Sequence, residues 1–81
     1  MSTPTQADVS ALIQGLLPAT PLQAETPLLS SGLLDSFQLL DLVETLEETY
    51  GFAALASEVR PEVLDTPAQV LAYVLRKQAE A

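Results

Sequence analysis

Asp35-Ser36 is the pair whose residue types admit covalent chemistry: a hydroxyl preceded by a carboxylate and followed by the bulky Phe37. The chain contains no histidine and no cysteine. A catalytic serine needs an adjacent base, and no histidine is present to take the Ser36 proton. Ser36 therefore reads as a group that another protein acts on. Glu44, Glu47 and Glu48 form a second cluster, with no basic neighbour on the same helix. Like charges at i, i+4 cost roughly a few tenths of a kcal/mol per pair, a penalty that a partner's lysines or arginines would relieve. A metal centre is the poorer reading, because helix-spaced carboxylates without histidine or a glycine-turned calcium loop do not make one.

The element that must position these groups is a helix from Ser36, with Ser36 or Asp35 as its N-cap, to about Tyr50, with Gly51 as the terminating residue. At about 100° per residue, Leu39, Leu42, Val43, Leu46 and Tyr50 gather on one side and read as core. Phe37, Asp41, Glu44 and Glu48 gather opposite, flanked by Leu40 and Glu47. An apolar centre with a charged surround is how a docking patch is built, and these six residues are the candidate docking face. Two blander readings stand beside it: a merely solvated charged face, and Phe37 folded inward against the preceding loop.

Eighty-one residues make one small domain, expected to span 1–81 with an ordered core of about 6–77. Because the chain begins with Met1, it is expected to be a discrete protein. Nearly half the residues are apolar, which argues against a disordered acidic tail. The net charge of −8 sets eleven acids against Arg60, Arg76 and Lys77. That speaks against nucleic acid or an anionic membrane as partner and favours basic protein surfaces. There is no signal peptide pattern and no apolar run near the roughly 20 residues a bilayer requires. With no cysteine, a reducing, cytoplasmic location is expected.

In chain order, a loose start to Gln6 leads into a helix over about 6–17, capped by Thr5 and ended by Pro18. Its stripe of Val9, Leu12, Ile13 and Leu16 reads as core. Ala19–Leu34 is a long connection that Leu22, Leu28, Leu29, Leu33 and Leu34 pin across the bundle, with Gly32 at a turn. The stretch 52–59 reads as a connection, and Arg60-Pro61 opens a short helix to Leu64. A last helix begins with Thr66 as N-cap, Pro67 at its first position and Gln69 completing a capping box. Val70, Tyr73, Val74 and Lys77 share one side, and Gln78–Ala81 is expected to fray. The expectation is an all-α fold, a small antiparallel four-helix bundle of three main helices and one short one with a long first loop.

Gly32-Leu33-Leu34-Asp35-Ser36-Phe37, the acidic helix behind it and Leu64-Asp65-Thr66-Pro67 resemble the acyl carrier protein family. The resemblance runs from about Thr26 to Lys77. It implies 4′-phosphopantetheine on Ser36, with Asp35 as the motif acid assisting attachment, and acyl or aminoacyl groups held as thioesters. The chain would then be a carrier and not an enzyme. Its partners would be a phosphopantetheinyl transferase, a loading enzyme, and downstream transferases or condensing enzymes with basic docking patches. It would act as a monomer. Fatty-acid carriers often have an acid where this chain has Gln38 and an apolar residue where it has Glu44, so the likeness leans toward aminoacyl and specialised-pathway carriers. Two other classes remain. A carrier-like bundle that is never modified would be an adaptor, insensitive to Ser36→Ala but sensitive to charge reversal at Glu44 or Glu47. A small acidic enzyme is disfavoured by the lack of a base near Ser36 and by a chain short for a cleft.

Overall fold

The computed structural model describes residues 3–80. It contains helices α1 (Gln6–Leu16), α2 (Ser36–Tyr50), α3 (Pro61–Leu64) and α4 (Pro67–Glu80), with one 3₁₀ turn at Ala56–Glu58 and no strand among the described residues. The expected all-α bundle of three main helices and one short one is present. α1 packs on α4 and α2, and α4 also packs on α3 and α2.

Each helix begins where side-chain chemistry predicts. Thr5 accepts from the Asp8 N–H, and the Asp8 carboxylate accepts from the Thr5 N–H. Pro18 prevents continuation of α1, and the Gln14 side-chain amide donates to the carbonyls of Leu17 and Thr20. α2 ends on Gly51 at φ +71°, a left-handed cap that glycine adopts without a Cβ clash. In front of α4, Thr66 Oγ1 accepts from Gln69 N–H, while Gln69 Oε1 accepts from the amides of Asp65 and Thr66.

The core is Val9 and Ile13 of α1, Leu39, Leu42, Val43, Leu46 and Tyr50 of α2, Leu64, and Val70, Tyr73 and Val74 of α4. Leu28 and Leu34 reach into it from the first loop, with Leu22 and Leu29 packed against its edge. Burying each such leucine contributes about 1.5–3 kcal/mol, which offsets part of the cost of ordering a long connection. Leu33 is half-buried and stands outside this cluster. Two expectations change at the ends. Pro4 is buried, so the segment leading into α1 is held there. α4 runs to Glu80, past the expected limit at Lys77, with Lys77 Nζ 3.7 Å from the Glu80 carboxylate. Met1, Ser2 and Ala81 lie outside the described residues.

Candidate functional site

Asp35 and not Ser36 caps α2. Its backbone is extended (φ −93°, ψ −178°), and its Oδ1 accepts from Gln38 N–H at 2.8 Å. The Gln38 side chain closes the box, its Oε1 accepting from Asp35 N–H at 3.2 Å. Ser36 is therefore the first helical residue. It is exposed, and its hydroxyl makes no hydrogen bond among the described residues. The reading of Ser36 as an ordinary cap is thus replaced: the cap belongs to its neighbour, and Asp-x-x-Gln is the pattern that reveals it.

The six residues of the candidate docking face fall into two sets. Phe37 is 79% exposed and Leu40 52%, so Phe37 does not fold inward against the loop. Asp41, Glu44 and Glu48 are exposed as well. Glu47 is half-buried, and its carboxylate accepts from Ala54 N–H at 2.8 Å, tying the segment after α2 back to the helix. Among the described residues no cation pairs with Asp41, Glu44 or Glu48. Arg60 pairs with Glu62, Arg76 with Glu58, and Lys77 with Glu58 and Glu80.

Two carboxylates matter that sequence reasoning leaves without a role. Glu58, in the stretch read as a connection, accepts from Leu55 N–H at 2.9 Å and from Tyr73 Oη at 2.9 Å, and its carboxylate lies 3.2 Å from Lys77 Nζ and 3.5 Å from Arg76. The Leu55 amide, reinforced by Tyr73 and Lys77 against partial burial, holds the Glu58 pKa down at about 2. Burial, then the bond to Glu58, pushes the Tyr73 hydroxyl well up. Asp65 accepts from the amides of Leu29 (2.8 Å) and Ser30 (2.9 Å) and from the Ser30 hydroxyl (2.8 Å). Ser30's amide and hydroxyl are the main causes that lower its pKa. Asp65 stands in the Leu64-Asp65-Thr66-Pro67 motif, but its partners Leu29 and Ser30 are distant in the chain, as are the Tyr73, Arg76 and Lys77 partners of Glu58, so no local pattern gives these contacts away.

One hollow near the ends of α2 and α4 is lined by Glu47, Phe52 and Lys77, and another between α3 and α4 by Val63, Tyr73 and Arg76. Neither includes Ser36, which stands on open surface. No group of residues among those described is arranged to hold a metal ion, and no helix is long and apolar enough to cross a membrane.

An exposed, uncommitted serine at the first position of a capped helix, on a small helical bundle, is an arrangement suited to covalent attachment. A family model described as "Phosphopantetheine attachment site" matches residues 7–74, and the chain belongs to that family. A D-alanyl carrier protein from Abiotrophia defectiva is 44% identical over 48 residues, which is 59% of this chain and 61% of the relative's length. No solved structure matches the chain significantly.

Proposed function

We propose that Ser36 is the residue to which 4′-phosphopantetheine is attached, and that the chain is a monomeric cytoplasmic carrier presenting acyl or aminoacyl groups to partner enzymes. The observation that carries this reading is the division of labour at the start of α2. Asp35 takes the cap, which leaves the Ser36 hydroxyl exposed and unbonded. The residues fit the group: Ser36 is the first residue of α2, so a phosphodiester on its Oγ would meet the positive end of the helix dipole. When bound, the group supplies a terminal thiol that takes acyl groups as thioesters, which a chain without cysteine cannot supply itself.

The chain's own residues divide the remaining work. In the transfer, Ser36 Oγ would form the new phosphoester bond as the pyrophosphate bond of coenzyme A breaks and adenosine 3′,5′-bisphosphate leaves, and the Ser36 proton would go to a base of the transferase, since no histidine is available in cis. Asp35 Oδ1 is occupied by Gln38 N–H, while Oδ2 makes no hydrogen bond among the described residues and is open to the transferase's metal or basic contact. Phe37 and Leu40 form the apolar centre of the face read by partners. Asp41, Glu44 and Glu48 supply its charge, and Glu47 shares the face while bracing the segment behind it. The likeness to a D-alanyl carrier protein supports an aminoacyl cargo.

The test is intact mass after incubation with coenzyme A, magnesium and a broad-specificity phosphopantetheinyl transferase. The wild type is expected to gain one phosphopantetheine and Ser36→Ala none. A folded, initially unmodified wild type that gains no mass would point to an unmodified adaptor.

A further inference from the structure

We infer that Asp65 is a positioning residue for the attachment serine: from the α3–α4 junction it clamps Leu28–Ser30, and through them the closed loop that delivers Asp35 and Ser36 to the start of α2. The inference rests on Ser36 being the attachment site.

The clamp has four parts. Asp65 Oδ1 accepts from Leu29 N–H at 2.8 Å and from Ser30 N–H at 2.9 Å, and Oδ2 accepts from the Ser30 hydroxyl at 2.8 Å. The Asp65 carbonyl accepts from Leu28 N–H at 2.6 Å. Beyond the clamp the path to Ser36 is short and closed on itself. Leu34 N–H donates to the Leu28 carbonyl at 2.9 Å, and Gly32 N–H to the Leu29 carbonyl at 3.1 Å. Gly32 turns the chain at φ +81°, in the left-handed region that favours glycine. Leu28 and Leu34 sink into the core on either side of that turn. The next residue is Asp35, the α2 cap.

The clamp is also mounted on a fixed base. Asp65 is the C-cap of α3, and its own N–H donates to Gln69 Oε1 at 2.9 Å inside the α4 capping box. The start of α2 is thereby referenced to the start of α4. Without the carboxylate, the amides of Leu29 and Ser30 and the Ser30 hydroxyl lose their partner, and the exposed turn between Leu28 and Leu34, left with its internal bonds and the Asp65 carbonyl, opens locally more often. Attachment requires Ser36 Oγ in line with the phosphorus under attack, and a displacement of about 1 Å can cost on the order of 10²-fold in rate. Asparagine keeps one acceptor oxygen for the two amides, so it restores most of the geometry without the charge.

The experiment compares wild type, Asp65→Ala, Asp65→Asn and Glu58→Ala, each verified as folded at the assay temperature. Glu58 anchors a segment that does not lead to Ser36, so its loss controls for destabilisation alone. Two quantities are read: amide exchange at Leu34 and Gln38, the hydrogen-bonded amides that bracket Ser36, and kcat/KM for phosphopantetheinyl transfer. Asp65→Ala is expected to accelerate exchange at both amides and to lower kcat/KM by about tenfold. Asp65→Asn recovers most of both, and Glu58→Ala matches the wild type. Unchanged exchange at Leu34 and Gln38 in Asp65→Ala overturns the inference, as does faster exchange with wild-type kcat/KM, or an equal loss in Glu58→Ala. A wild type that is never modified overturns the Ser36 reading instead, and the exchange data then decide the clamp's effect on the loop by themselves.

Discussion

At the scale of single residues, the division between Asp35 and Ser36 governs what each substitution does. A cap side chain satisfies an amide that would otherwise lack a partner, and its loss costs about 1 kcal/mol. Asp35→Ala is therefore expected to lower unfolding free energy by about that amount, read by chemical denaturation. Ser36→Ala removes an exposed hydroxyl with no intramolecular bond and is expected to stay within about 0.5 kcal/mol of wild type. The reverse ranking would mean that Ser36 is the structural cap after all. Gln38 belongs to the same unit, since its side chain bonds back to Asp35 N–H. An acid at that position would set a second negative charge beside the Asp35 carboxylate, and the neutral amide avoids this repulsion.

At the scale of the element, α2 has two faces with different jobs. Leu46 is fully buried and Phe37 is 79% exposed. Truncating a buried leucine removes its transfer energy and leaves a cavity, so Leu46→Ala is expected to cost about 2–5 kcal/mol. Phe37→Ala is expected to cost no more than about 0.5 kcal/mol, while weakening turnover by partner enzymes. Thermal unfolding beside a transferase assay checks both. A Phe37→Ala variant that melts with the stability loss of Leu46→Ala would remove Phe37 from the docking face. The amphipathic period makes this division legible in the sequence, because at 3.6 residues per turn identity and spacing alone assign the faces. Glu47 is the exception. Its position on the helix is as the period requires, but the Ala54 amide that engages it comes from the segment after Gly51.

At the scale of the whole molecule, Glu58 ties the segment after α2 to α4 by collecting Leu55 N–H, Tyr73 Oη, Arg76 and Lys77. Tyr73 is further held by Phe52, edge-to-face at 5.6 Å, and by Arg76 at 5.4 Å from its ring centroid. Glu58 titrates at about 2 in the fold against an ordinary 4.5. A depressed carboxylate stabilises the fold above its ordinary value, and that contribution is lost as pH falls toward the folded value. Stability is thus expected to decline between pH 4.5 and about 2, with Glu58→Gln declining less over the same window in thermal melts. Asp65, also depressed, acts in the same direction. An equal acid decline in Glu58→Gln would show that other carboxylates set it.

The features readable from the residues alone were those written in local spacing. These are the helix boundaries at Thr5, Gly51, Pro61 and Thr66, the core stripe of α2, the acidic excess, and the Asp35-Ser36 pair at a helix start. They were legible because caps and faces act over one to four residues. The remaining features depended on how the helices pack. The tertiary structure showed that the first loop, whose anchoring by Leu28 and Leu34 the sequence already suggests, is also tied down by Asp65, which supplies the partners for its amides. It also showed what Lys77 does on the Val70, Tyr73 and Val74 side of α4: it lies buried at 9% exposure with its ammonium against Glu58. These contacts join residues far apart in sequence, and such pairings follow from how the helices pack and not from any local period.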